Sequence, residues 1–182
     1  NGLEYELTID KDLTSLDKVL GTYFITYKGD RYKVSMPNVY RSEEFENAYA
    51  YDGDDLGATW TSTSTTFKVW APTASFVCLE LSKDGEYQYI PMKIQDKGVW
   101  YGKIDGDYEG YSYVYVIKVK GKINRGIDPY AYSSTPNHNR SFIIDLNKTN
   151  VENYSHCLPT FTNNVDAVIY EMHIRDFSVH EN

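Results

Sequence analysis

Cysteine is scarce in this chain of 182 residues. Cys78 and Cys157 are the only two, too few for a disulfide framework and at no spacing used by metal or redox motifs. Cys78, inside FVCLEL, reads as a small buried hydrophobe. No apolar run approaches the roughly 18 residues of a membrane span, and the opening residues lack the pattern of a secretory signal. A cytoplasmic location is the expectation, although a start at Asn1 rather than Met leaves room for an upstream segment. Positive charge is also in deficit: 18 Lys and Arg against 26 Asp and Glu give a net charge of -8 and a pI near 5.0. With no basic run to offset it, neither a nucleic acid nor an anionic membrane is an expected partner.

Other absences narrow the chemistry. His138, His156, His173 and His180 have no partners at zinc-site spacing. There is no G-x-S-x-G elbow and no phosphate-binding G-x-x-x-x-G-K-[ST] loop. Asp52, Asp54 and Asp55 in YDGDDLG resemble a calcium loop only in part, because Leu56 and Thr63 stand where oxygen ligands belong. The same failure at Val116 leaves Asp105, Asp107 and Glu109 as turn residues. No metal and no cofactor is therefore expected in this chain. Its length also falls short of the about 250 residues of a complete (β/α)8 barrel.

What is abundant is tyrosine: 18 residues, within an aromatic share of 15% that favours strands. Residues 1–50 read as a small mixed region. It holds strand-like LEYELTI (3–9), a capped helical turn in TSLDKVLG, a hairpin of TYFITY and RYKVSM around KGD, and helical SEEFENAY. Residues 51–135 carry TFKVWA, SFVCLEL, YQYIPMKI, GVWYGKI, YSYVYVIKV and KINRGI, separated by the turn sequences SKDGE, QDKG and DGDYEG. Regular short strands at this spacing predict a mainly β protein built on an immunoglobulin-like antiparallel β-sandwich. Phe67, Val69 and Ala71 share one strand face, as do Val77, Leu79 and Leu81, by the two-residue period. Residues 136–164, rich in Asn and polar groups, read as a linker or wrapping loop.

Two features invite functional readings. Tyr111, Tyr113 and Tyr115 lie on one face of a strand and are candidates for stacking on sugar rings. Because Ile117 and Val119 continue that face, a core or interface stripe is the favoured alternative. Residues 165–182 contain AVIYEMHIRDFS, where Val168, Tyr170, Met172 and Ile174 oppose Ala167, Ile169, Glu171, His173 and Arg175. A parallel barrel strand has this character, with its polar end at the mouth where active sites form.

Taken in order, YDGDDLGATW (51–60), TTFKVWAPTA (65–74), GVWYGKIDGDYEGYSYVY (98–115), DPYAYSS (128–134) and AVIYEMHIRDFS (167–178) resemble the start of a type I pullulanase. The resemblance covers roughly residues 40–182. It implies a carbohydrate-binding module of family 48 followed by the first strand of an incomplete family 13 catalytic barrel. It also implies an α-glucan partner such as pullulan, glycogen or starch dextrin, whose α-1,6 linkages the complete enzyme hydrolyses with retention. The catalytic carboxyl pair, about 5 to 5.5 Å apart in retaining enzymes, would belong to later barrel strands and to none of the residues present. On this reading His173, Arg175 and Asp176 are barrel-mouth candidates and Trp70 is a candidate for contact with the absent barrel. Glycogen-binding relatives carry tryptophans after the second strand and near the end of the module, where this chain has SKDGE and KGKINRG. A stand-alone glucan-binding module and a protein-binding adaptor are the alternatives.

Overall fold

The computed structural model describes residues 22–35, 37–152 and 162–179, and the chain divides into two units, Asn1–Leu146 and Asn147–Asn182. The strand and helical turn expected before residue 22 lie outside the described residues. The hairpin around KGD is present as β1 (Phe24–Tyr27) and β2 (Asp30–Lys33), paired antiparallel. Lys28 and Gly29 both take positive φ, 50° and 89°, as a tight two-residue hairpin turn requires. Helix α1 (Glu43–Tyr49) begins where SEEFENAY predicts it, because the Ser42 hydroxyl accepts a hydrogen bond from the Phe45 amide at 3.2 Å. Acidic Glu43, Glu44 and Glu46 complement the positive end of the helix.

The sandwich consists of two antiparallel sheets. One has the order β3 (Gly57–Thr61), β4 (Ser64–Trp70), β8 (Val99–Asp105), β7 (Lys93–Ile94). In the other, β10 (Lys122–Gly126), β9 (Ser112–Val119), β5 (Phe76–Lys83) and β6 (Glu86–Pro91) follow one another, and β11 (Ser141–Phe142) also pairs with β9. The inward faces meet in one core. Phe67, Val69, Trp100 and Ile104 come from the first sheet, and Val77, Leu79, Leu81, Tyr113 and Tyr115 from the second, with Met92 and Ile143 closing it. The faces predicted from the two-residue period are those observed for Phe67 and Val69 and for Val77, Leu79 and Leu81.

Residues 136–146, read in the sequence as part of a linker or wrapping loop, pack with the sandwich. Ser141 pairs with Tyr113, Phe142 with Ser112, and Ile143 is buried. The polar composition of the surrounding loop conceals a two-residue strand whose partner lies almost thirty positions earlier. The segment expected as the first strand of a barrel has no partner strand among the described residues. Residues 167–173 make no ladder with any described strand, and α2 (Ile174–Ser178) is a short helical turn. A lone strand leaves its backbone groups unpaired, and the local i to i+4 bonds from Phe177 to His173 and from Val179 to Arg175 satisfy some of them instead.

Thr65 is fully buried in β4, and its hydroxyl has no hydrogen-bond partner. Thr65→Val keeps the branched shape and removes that unsatisfied group. We expect it to raise unfolding free energy by about 1 kcal/mol, measured by denaturant titration; a loss of similar size would show that a bound water satisfies the hydroxyl.

Candidate functional site

The tyrosine stripe on β9 faces inward. Tyr113 and Tyr115 are 0% and 1% exposed, so neither presents a ring to a sugar. Their hydroxyls both donate to the Asp128 carboxylate, at 2.7 and 3.2 Å, and Asp128 is itself buried. Burial, followed by the neighbouring Asp128 charge, holds both phenols well above their ordinary titration range. Tyr111 is half-buried, packed on Tyr108 with the Lys83 ammonium over its ring. The stripe is core, for the reason its continuation into Ile117 suggested.

The opposite face of the same sheet forms the site. In the FVCLEL run of β5 alternate residues fill the core, which turns Glu80 outward, yet Glu80 is only 3% exposed. Three neighbours cover it. Arg140 donates through Nη1 to Oε1 at 2.8 Å, Arg125 through Nη2 to Oε2 at 2.5 Å, and Tyr89 through its hydroxyl. Arg140 is further fixed by bonds to the Glu80 carbonyl (3.0 Å) and the Ser112 hydroxyl (2.9 Å). Burial opposes ionisation of Glu80, but the bonds from Arg140 and Tyr89 and the charges of Arg125 and Arg140 outweigh it. Its carboxyl is held below the usual range.

Around this cluster lies a cavity of about 660 Å³ lined by Tyr87, Tyr89, Arg125, His138, Asn139 and Arg140, among others. Tyr87 and Tyr89, two apart on β6, are each 57% exposed. Tyr89 is opposite Glu80 in the ladder and Tyr87 is opposite Ser82. The Arg140 guanidinium lies 5.7 Å from the centre of the Tyr87 ring, so that ring is steadied from one side. Residues Thr135–Arg140 bring the rim into place by a closed set of bonds, from Thr135 N to Arg140 O and from Arg140 N to the Thr135 hydroxyl.

The remaining sequence candidates lie elsewhere. Trp70 is 41% exposed, and its ring nitrogen donates to the carbonyls of Tyr49 and Lys97 at 2.9 and 3.0 Å. It thereby fixes the end of α1 on the sandwich. Beside it Tyr51, Leu56 and Tyr130 line a smaller cavity of about 280 Å³. His173, Arg175 and Asp176 are on the second unit, with His173 Nδ1 3.4 Å from an Asp176 carboxylate oxygen and both side chains exposed. The sequence reading passed over Glu80, Tyr87, Tyr89, Arg125 and Arg140. Two signals marked the patch: a charged residue inside an otherwise apolar strand, and tyrosines two apart in YQYIP. Arg140, in the expected linker, had none.

The outer face of the sandwich thus carries an open aromatic platform beside a fixed polar cluster. Residues 55–131 match the family model for carbohydrate-binding module 48, the isoamylase N-terminal domain, so the sandwich is of that class. Over 155 residues the chain is 34% identical to the pullulanase of Bacillus subtilis (strain 168), covering 85% of this chain and 21% of that protein. Two solved structures are similar in fold. The pullulanase from Bacillus acidopullulyticus gives a TM-score of 0.71 at 35% identity, with 85% of this chain and 19% of that one covered. The pullulanase from Anoxybacillus sp. LM18-11 complexed with maltotriose gives 0.69 at 40%, with 87% and 23% covered. The chain thus spans about a fifth of the length of the Bacillus subtilis relative. It belongs with the N-terminal, module-bearing region of the type I pullulanases.

The Glu80 cluster makes stability depend on acid. Because the folded carboxyl titrates lower than in the unfolded chain, its contribution is complete above about pH 4.3, the unfolded value. It is lost as pH falls through the lowered folded value. Glu80→Gln should cost about 2 kcal/mol at pH 7, and the gap to wild type should narrow below pH 4 in urea unfolding. A gap constant from pH 7 to pH 3 would contradict the ionised cluster.

Proposed function

We propose that this chain is a non-catalytic glucan-holding portion of a debranching enzyme, and that its outer-face patch grips α-glucan through Tyr87 and Tyr89. The observation that carries the reading is the pair of exposed tyrosine rings held in register on one strand face beside a fixed polar cluster. Ring faces of this kind cover the apolar C–H surface of a sugar, and the adjoining polar groups meet its hydroxyls. The loss of tryptophan from the SKDGE and KGKINRG regions is offset by placing tyrosine on β6. Within the complete enzyme such a grip raises the local concentration of substrate at the catalytic domain, by linking two binding events on one polymer.

Two further features fit a larger enzyme. The exposed Trp70 ring, immobilised by its two hydrogen bonds and flanked by Leu56 and Tyr130, is suited to contact with a catalytic domain. In the second unit Val168 and Ile169 are about nine-tenths exposed, as suits a strand that takes its partners from a barrel, with His173, Arg175 and Asp176 at its mouth end.

Isothermal titration with maltoheptaose tests the grip. Tyr87→Ala and Tyr89→Ala should each weaken binding about tenfold, on the scale of a stacked aromatic contact, with the unfolding midpoint little changed in Tyr87→Ala and lowered in Tyr89→Ala, which takes a hydroxyl bond from the buried Glu80 carboxylate. Unaltered affinity in both variants would remove the patch from the reading. The 182-residue chain alone should also release no reducing sugar from pullulan, and hydrolysis by material free of a second polypeptide would overturn its non-catalytic assignment.

A further inference from the structure

The hydrogen-bonding groups around the outer-face cavity are unbalanced in a way that neutral glucose does not require. Glu80 is the only carboxylate among the described lining residues, and it is already occupied by Arg140, Arg125 and Tyr89. It therefore has little capacity left to accept from a ligand hydroxyl. Donors, in contrast, remain. Arg125 spends Nη2 on Glu80, while its side chain is 63% exposed and keeps its other N–H groups toward solvent. His138 shares Nδ1 with the Ser134 hydroxyl at 2.9 Å, so that Nε2 carries the N–H when the hydroxyl donates to Nδ1, and Asn139 adds amide N–H groups together with a carbonyl. Asn137 and His138 both take left-handed backbone conformations, with φ of 64° and 53°. Consecutive non-glycine residues in that region are costly, and here they bring His138 and Asn139 to the rim. Two guanidinium groups facing one buried carboxylate make this a locally positive cavity on a chain of net charge -8.

Sites rich in donors and poor in acceptors favour ligands rich in acceptors, and a planar guanidinium with open N–H groups matches the oxygens of a phosphate. We propose that this cavity takes the phosphate monoester of a phosphorylated sugar, with Arg125 as its principal ligand and His138 and Asn139 at its edge. The proposal rests on the reading of Tyr87 and Tyr89 as the sugar platform: the ring stacks there while the phosphate lies over Arg125. The sugar phosphate has two possible sources, a phosphorylated residue within an α-glucan or a free hexose phosphate, and the chemistry of recognition is the same for both.

The test is titration of the complete 182-residue chain at pH 7 and low ionic strength with maltoheptaose, maltoheptaose bearing one 6-phosphate, glucose 6-phosphate and inorganic phosphate. The phosphorylated heptaose should bind about tenfold more tightly than the neutral one, as one charge-assisted contact supplies. That advantage should shrink as salt is added. In Arg125→Gln the two heptaoses should bind within about twofold of each other, and Arg125→Lys, which keeps the charge without the fork, should fall between. Unfolding midpoints of the two variants separate this effect from damage to the Glu80 cluster. A tighter fit for the heptaose than for glucose 6-phosphate identifies a glucan-borne phosphate, and equal affinity identifies the free sugar phosphate. Equal binding of the two heptaoses to wild type would overturn the proposal while leaving the neutral glucan platform intact. Response to inorganic phosphate with neither heptaose bound would overturn both.

Discussion

The buried carboxylate of Asp128 is the constraint on which the sandwich turns. It accepts both tyrosine hydroxyls of β9, its Oδ1 accepts from the Tyr130 amide at 2.9 Å, and its own amide donates to the buried Ser141 hydroxyl. One residue thereby fixes the exit from β10, the seat of β11 and the inward aim of the tyrosine stripe. Without a buried acceptor, two buried phenols would be costly. Gly57 belongs to the same construction: at φ of +99° a β-carbon there would stand 2.9 Å from that of Tyr130. The second glycine of YDGDDLG and the tyrosine of DPYA thus lie against each other, although more than seventy residues separate them.

Directing the tyrosine stripe inward decides which face is left for a ligand. Once Tyr113 and Tyr115 fill the core, the alternate residues of β5, β6 and β9 face outward, and Glu80, Tyr87, Tyr89 and Val114 converge on one surface. A buried charge is tolerable there because two arginines and a hydroxyl satisfy it. The cluster is unlike a surface ion pair, which contributes little. It sets the positions of Arg125 and Arg140 beside the tyrosine rings, so that the polar part of the patch is shaped before a ligand arrives.

Much of this fold was legible in the sequence because strand periodicity and turn chemistry are local. The β4 and β5 faces, the Gly29 turn and the helix in SEEFENAY all follow from neighbours within a few positions. Non-local features were not legible. Nothing around Ser141 and Phe142 indicates that they complete a sheet, and nothing near Arg140 points to Glu80. The apolar alternation of residues 167–174 describes a strand, but the ladder that would make it one cannot come from that segment. Tyrosine periodicity and its continuation into Ile117 pointed the stripe inward, and the buried acceptor that makes this possible, Asp128, comes from outside the strand.

Backbone amide chemical-shift mapping of the labelled chain with maltoheptaose tests the assignment of the outer face most directly. Shifts should cluster on Glu80, Tyr87, Tyr89, Val114 and Arg140, with little change at Phe67, Leu79 and Tyr113 in the core. Shifts centred instead on Tyr51, Leu56, Trp70 and Tyr130 would move the glucan site to the far side of the sandwich and contradict a ligand-binding role for β6.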